Sequence, residues 1–139
     1  MRRFYVGLVT AAMVVLIAGV LIWNYIDQLS ALKHETDRWA VIKDVNGDHI
    51  AVETTSDTVW DQLDQLHENK TERFIGSLVE EYNNKWGFRF KPENITIAEV
   101  TVEGMQATIR HISEELDYWL ELGLIVYTSA TVTEIHGST

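Results

Sequence analysis

An unbroken apolar segment opens the chain and differs from everything that follows it. After Arg2 and Arg3, residues 4–23 form a run of twenty residues without a charge. An α-helix rises about 1.5 Å per residue, so this run covers the roughly 30 Å of a bilayer's hydrocarbon core. The pattern predicts a single transmembrane anchor over residues 1–26.

Beyond the apolar segment, polar and apolar positions alternate in short blocks that are typical of β-strands. Residues 39–45 and 49–53 flank Asn46-Gly47, a dipeptide that accepts the positive φ angles of a two-residue hairpin turn. A β-hairpin is therefore predicted at the start of the domain. Further strands are predicted over residues 74–82, 86–90, 95–100 and 124–135, although Thr96 and Glu99 also fit a helical capping box.

Two other segments show the 3.6-residue period of amphipathic helices. Ser56 or Asp57 can cap the first, which is predicted to run to about Glu68. The second is longer, because apolar residues recur at spacings of four and three until Gly123. These residues are Met105, Ile109, Ile112, Leu116 and Trp119. The pattern as a whole predicts an α+β fold in which one long helix packs across an antiparallel sheet.

The apolar stripe continues past the predicted bilayer boundary. Ile26, Leu29 and Leu32 keep helical spacing, which predicts a helical stalk over residues 27–38 that continues the membrane helix to about Thr36. The stripe can pack on its own domain or on another subunit, and the spacing does not decide between them. Residues 39–139 are then one extracytoplasmic domain of ordinary size.

Charge at the two ends of the apolar segment predicts its orientation. Arg2 and Arg3 precede it, whereas the next fifteen residues beyond it mix acidic and basic side chains. The positive-inside rule places the N-terminus in the cytoplasm and the domain on the opposite side of the cell membrane. Aromatic side chains are expected to anchor the helix at the two interfaces with the lipid bilayer, namely Phe4, Tyr5, Trp23 and Tyr25.

A cleaved signal peptide is the alternative interpretation of the same segment. Its apolar region is ordinarily about 7 to 15 residues long and ends in small residues at the cleavage site. Here the run is longer, and bulky residues occupy its end over residues 20–25. The pattern favours an uncleaved anchor.

Composition then restricts the partners of the domain. The chain carries 11 basic and 21 acidic residues, so without Arg2 and Arg3 its net charge is −12. Such a surface repels phosphate backbones, and nucleic acid is excluded as a partner. The chain contains no cysteine, which excludes disulfides and thiolate metal sites.

A short pattern in the middle of the domain resembles a known type of domain. Tyr82-Asn83-x-x-Trp86-x-Phe88-x-x-x-Pro92, within residues 74–120, is similar to a small α+β domain of unknown function found in secreted and microbial proteins. The resemblance implies a fold unit only, and no catalytic residue is carried over from it. Asn84 stands where the pattern has a proline.

The motifs of common enzymes do not occur. The five histidines lack HExxH spacing, and the chain has no GxSxG, Walker or GxGxxG motif. His111, His136 and Glu99 can form a metal or acid–base site only if the fold brings them together. Acidic residues that recur along the first amphipathic helix, from Asp57 to Glu68, are typical of a solvated face. We therefore predict no enzyme activity, no metal site and no cofactor.

Aromatic residues are the candidates for contact with a partner. Trp86 and Phe88 either bury in the core or form a platform, and Tyr118 and Trp119 cannot both face inward on a helix. Asn69 and Asn94 begin Asn-x-Thr patterns and are possible glycosylation acceptors.

The sequence therefore predicts a single-pass membrane protein that displays a non-catalytic binding domain outside the cell. An accessory subunit of a larger membrane complex fits the anchor, the apolar stalk and the lack of enzyme motifs. A self-assembling surface or pilus-like subunit is the alternative from another class. An extracytoplasmic metal-dependent or hydrolytic enzyme is the third.

Overall fold

The computed structural model describes residues 2–137, with side chains from residue 14 onward except residue 24. The chain divides into two compact units, Met1–Ser30 and Ala31–Thr139.

The first unit consists of helix α1 (Arg2–Ala31), which is long and apolar enough over Val14–Ala31 to cross a membrane. The helix ends at Ala31 rather than near Thr36 as expected. In a longer helix, the backbone N–H groups of Glu35 and Thr36 would pair with carbonyls of the preceding turn. Here they donate to the side chain of Glu53 instead.

The second unit is an α+β domain, as predicted. Its central sheet has five strands in the order β2-β1-β7-β3-β6, and all neighbouring strands are antiparallel. The strands of this sheet are β1 (Trp39–Asp44), β2 (His49–Glu53), β3 (Arg73–Ser77), β6 (Thr96–Ala98) and β7 (Val126–His136). A second, two-stranded sheet pairs β4 (Val79–Glu81) with β5 (Phe88–Phe90).

The hairpin and the first helix of the domain lie where the sequence places them. Gly47 has φ of 83° in the turn between β1 and β2, which a glycine adopts without steric cost. Helix α2 (Asp57–Asn69) begins at Ser56, whose side chain accepts a hydrogen bond from the Val59 N–H. Helix α2 packs against the sheet through buried Trp60 and Leu63.

The prediction of one long helix is wrong. Two short helices, α3 (Ile109–Glu114) and α4 (Leu116–Leu122), meet at Glu115, which has φ of −111°. The N-terminal part of the predicted helix is extended instead, because Met105 and Ala107 hydrogen-bond to the backbone of Tyr127 at the start of β7. The buried positions keep helical spacing across the break, so the pattern of apolar residues cannot reveal it.

The core lies between the central sheet and the helices and strands that pack on it. Its largest fully buried side chains include Phe88 and Phe90 of β5, whose rings meet edge to face at 5.7 Å. The predicted strand over residues 74–82 is divided after Ser77, since β3 stays in the central sheet and β4 pairs with β5. A 3-10 turn (Pro92–Asn94) follows β5, as expected from Pro92.

Candidate functional site

Arg89 lies among four polar side chains, those of Glu35, Glu53, Glu80 and Tyr82, and we call these five residues the Arg89 cluster. Phe88 and Phe90 point into the core, so the alternation of β5 directs Arg89 to the other side. Its Nε donates to Glu80 at 2.7 Å, and its Nη1 donates to Glu53 at 3.0 Å and to Glu35 at 3.2 Å. The guanidinium also lies 4.5 Å from the ring centroid of Tyr82.

Glu53 ties this cluster to the segment that precedes the domain's first strand. Its side chain is 3% exposed, and one carboxylate oxygen accepts the backbone N–H groups of Glu35 and Thr36, the latter at 2.6 Å. The second oxygen accepts from Arg89. Buried carboxylates are stable when their oxygens are hydrogen-bonded and an opposite charge is close. Residues 35–36 are therefore fixed on β2 and β5.

Electrostatic effects in the cluster favour one protonation state. Burial by itself would lower the pKa of Arg89, but the hydrogen bond and charge of Glu80, followed by the charges of Glu35 and Glu53, raise it above its ordinary value. Burial raises the pKa of the Tyr82 hydroxyl, and the charges of Glu35 and Glu53 add to this against the effect of Arg89. The cluster thus holds a charged arginine beside a neutral tyrosine at neutral pH.

We expect Tyr82 to make the stability of the domain fall at alkaline pH. The pKa of Tyr82 is higher in the folded chain than its ordinary value of 10.0, so above pH 10 the unfolded chain ionises first. Stability present below pH 10 is then lost as the pH rises towards the folded pKa. Urea denaturation between pH 8 and pH 11 measures this, and Tyr82→Phe is expected to flatten the decline. An equally steep decline in Tyr82→Phe would contradict it.

A second buried carboxylate joins the hairpin to α3. Asp44 is 5% exposed, and its side chain accepts backbone N–H groups from Asn46 at 2.9 Å, Asp48 at 3.0 Å and Ile109 at 2.9 Å. An aspartate that accepts at a helix N-terminus satisfies donors that the helix itself leaves free. Arg110 pairs with Asp48 at 3.2 Å beside this contact. This carboxylate fixes the position of α3.

Two of the three residues of the hypothetical metal site, His136 and Glu99, have other partners. His136 stacks on Trp39 at 4.1 Å, and His34 stacks on the same indole at 4.0 Å. Glu99 pairs with Arg73 at 3.7 Å, and His111 lies exposed on α3. Among the residues whose side chains are described, no three His, Cys, Asp or Glu residues are grouped so that they could hold a metal ion.

The structure buries three of the four aromatic residues suggested as partner contacts. Phe88 is 0% exposed, Trp119 is 5% exposed and Trp86 is 6% exposed, so these three belong to the core and cannot form a platform. The Trp86 indole N–H donates to the His49 carbonyl at 2.7 Å, which satisfies its polar atom inside the fold. Tyr118 is 53% exposed and is the one member of the set on the surface.

The expected membrane and glycosylation residues lie on several different elements. Trp23 and Tyr25 are exposed on α1, whereas the side chains of Phe4 and Tyr5 lie outside the described ones. Asn69 is exposed at the end of α2. Asn94 is half-buried at the end of the 3-10 turn, and its carbonyl accepts from the Thr96 hydroxyl at 3.0 Å.

Sequence reasoning missed the Arg89 cluster and Asp44. Arg89 and Glu53 are 36 positions apart, so no local spacing could have paired them. The one available signal was Arg89 itself, a charged residue between two aromatic residues of a predicted strand. Asp44 stands two residues before Asn46-Gly47, a position from which aspartate can cap a turn.

Comparison with known proteins identifies one family. Residues 36–135 match the family model described as the BP-74 N-terminal domain. The matched region begins at Thr36, whose N–H donates to Glu53, and ends within β7. No curated protein and no solved structure matches the chain at a significant level.

Proposed function

The chain belongs to the BP-74 N-terminal domain family, and we propose that it displays this domain outside the cell from a single membrane helix. In this proposal the domain is a non-catalytic binding module and serves as an accessory subunit of a larger membrane complex.

The exposure of α1 is the observation that carries the proposal. Apolar side chains from Val14 to Leu29 are 51–73% exposed along α1, although leucine, isoleucine and valine are ordinarily buried. The domain has a hydrophobic core of its own. A helix with uncovered apolar side chains on all sides is suited to a lipid environment.

The direction of insertion rests on charge. Arg2 and Arg3 precede the apolar run, and positive charges that flank a membrane helix are retained in the cytoplasm. The domain is strongly acidic, which has little influence on insertion under this rule. We therefore place the domain on the extracytoplasmic side.

We assign the domain as a binding module because its buried charged side chains are hydrogen-bonded within the fold. Glu53 and Asp44 are engaged by backbone N–H groups, and Arg89 is shared by three carboxylates. Groups committed in this way hold a fold together and are poorly placed to move protons in a reaction. Helix α4 instead exposes Tyr118 and Leu122, which are suited to contact with another protein.

Translation of the full chain with microsomes tests the orientation. If the domain enters the lumen, Asn69 or Asn94 receives a glycan, so an Endo H-sensitive form should appear and should be absent in the Asn69→Gln/Asn94→Gln variant. Reversing the flanking charge with Arg2→Glu/Arg3→Glu should lower the glycosylated fraction by about half or more.

The same experiment distinguishes an anchor from a signal peptide. An anchor leaves a deglycosylated product of full length that resists extraction with carbonate. Recovery of a product shorter by about 25 residues would show cleavage after the apolar run and would reject the anchor. Complete absence of the glycosylated form, together with digestion of the domain by external protease, would reject the orientation.

A further inference from the structure

One side of α4 is apolar and exposed, although the other side packs into the core. Trp119 is buried, and Leu116 and Leu120 pack partly against the core. Tyr118 is 53% exposed and Leu122 is 38% exposed, and they lie one helical turn apart, so they are neighbours on one side of the helix. Leu124 follows the helix-ending Gly123 and is 50% exposed.

Acidic residues surround these apolar side chains. Asp117 and Glu121 form a parallel row on α4, and Glu114 and Glu115 precede the helix. No lysine or arginine follows Arg110 in the sequence. Within the part of the chain that the structure describes, Glu115, Asp117 and Glu121 form no ion pair. We call these seven residues the α4 face, namely Glu114, Glu115, Asp117, Tyr118, Glu121, Leu122 and Leu124.

A depression marks the break between α3 and α4. It has a volume of about 290 Å³ and is lined by residues 113–118, among them Glu114, Glu115 and Asp117. Glu114 ends α3 and Asp117 lies in the first turn of α4, so carboxylates border the depression from both helices. The depression is therefore suited to a lysine or arginine side chain.

We propose that the α4 face docks a basic amphipathic helix of a partner protein. A lysine or arginine of this helix enters the depression, and its apolar side chains cover Tyr118, Leu122 and Leu124. The inference extends the proposed function, since it names the surface and the chemistry of the partner that an accessory subunit would use.

The negative charge of the α4 face favours a basic helix over a second copy of the chain, anionic lipid or nucleic acid. A second copy of the chain would bring the same carboxylates against each other, and like charges in contact are unfavourable. Anionic lipid and nucleic acid are repelled for the same reason. A positively charged segment with an apolar stripe satisfies both features of the α4 face.

Binding of designed peptides to the full-length protein in phosphatidylcholine nanodiscs tests this proposal. The probe is a labelled helical peptide of about 14 residues with leucines on one face and lysines on the other. Fluorescence anisotropy measures its affinity, with empty nanodiscs as the baseline for lipid binding. Tyr118→Ser and Leu122→Ser should each weaken binding about fivefold or more, as expected for side chains at the centre of an interface.

Two matched variants control for non-specific attraction. Val45→Ser removes a side chain that is 66% exposed at the hairpin tip, and Asp61→Asn removes a charge on α2. Each should change the affinity by less than about twofold. Thermal melting of every variant checks that these surface changes leave the fold intact.

Charge reversal provides the decisive outcome. Asp117→Lys/Glu121→Lys should lose the lysine peptide and gain a peptide in which glutamate replaces lysine. The proposal is overturned if a serine–lysine peptide binds as tightly as the leucine–lysine peptide, if Asp61→Asn weakens binding as much as Leu122→Ser, or if nothing binds. These outcomes are independent of the glycosylation pattern, so a failure here is distinguishable from a wrong orientation.

Discussion

Gly76→Ala is expected to remove about 3 kcal/mol from the free energy of unfolding, the upper end of the cost of overfilling a packed site. A Cβ atom at this position would overlap the carbonyl oxygen of Val126 and would lie 2.8 Å from Cδ1 of Tyr127. Gly76 lies in β3 and pairs with Tyr127 of β7, so the obstructing oxygen belongs to a central strand that cannot move alone. Urea denaturation of the full chain in detergent, followed by tryptophan fluorescence, measures the loss.

Two further variants isolate the cause of this effect. A Cβ at Gly104 would meet nothing within 4 Å, so Gly104→Ala reports only the cost of its φ of 90°, which is about 1 kcal/mol. In a Tyr127→Ala background the contact with the ring is absent, but the Val126 oxygen remains in place. Gly76→Ala should therefore still lower the free energy of unfolding of that variant. An equal loss of unfolding free energy in Gly76→Ala and Gly104→Ala would contradict the close approach of β3 and β7.

Glu53→Ala is expected to cost about 3 to 4 kcal/mol, the range found when one partner of a buried ion pair is removed. The substitution leaves the backbone N–H groups of Glu35 and Thr36 without an acceptor and removes one of the carboxylates around Arg89. Unpaired donors in a buried position add their own desolvation cost. The same denaturation experiment measures the loss.

Glu80→Ala is the matched control for Glu53. It also removes a carboxylate from Arg89, but its side chain is 33% exposed against 3% for Glu53. Water replaces the lost contact there, so the expected cost is about 1 kcal/mol. Equal losses in the two variants would contradict the special position of Glu53, because Glu53 is the more buried of the two and accepts the backbone N–H groups of Glu35 and Thr36.

Local regularities explain which elements the sequence predicts well. The hairpin depends on Asn46-Gly47 and on adjacent strands, and α2 depends on Ser56 and on residues within one turn. Both are determined by neighbours in the chain, where propensity and turn chemistry act directly. The apolar run of α1 is visible for the same reason.

Predictions that needed distant partners were less successful. The long helix was wrong because residues 105–107 pair with Tyr127, about twenty positions away, in place of continuing a helix. The expected end of α1 near Thr36 was wrong because Glu53 takes the N–H groups of residues 35–36. In each case a backbone donor found a partner outside its own segment.

For the candidate contact residues too, local geometry gave part of the answer and tertiary packing gave the rest. Helical geometry alone required one of Tyr118 and Trp119 to face outward, but only the packing of α4 decided that it is Tyr118. Nothing in the spacing of Trp86 and Phe88 distinguished a core position from a platform. Their burial follows from contact with distant strands and helices.

By itself, the sequence determined the long apolar N-terminal segment, the acidity of the domain, the hairpin and the α+β class. These follow from composition and from interactions between residues close in the chain. Only the tertiary structure decided the break between α3 and α4, the Arg89 cluster and the exposure of the α4 face. Each of these depends on residues far apart in sequence, and their approach is set by packing of the whole core.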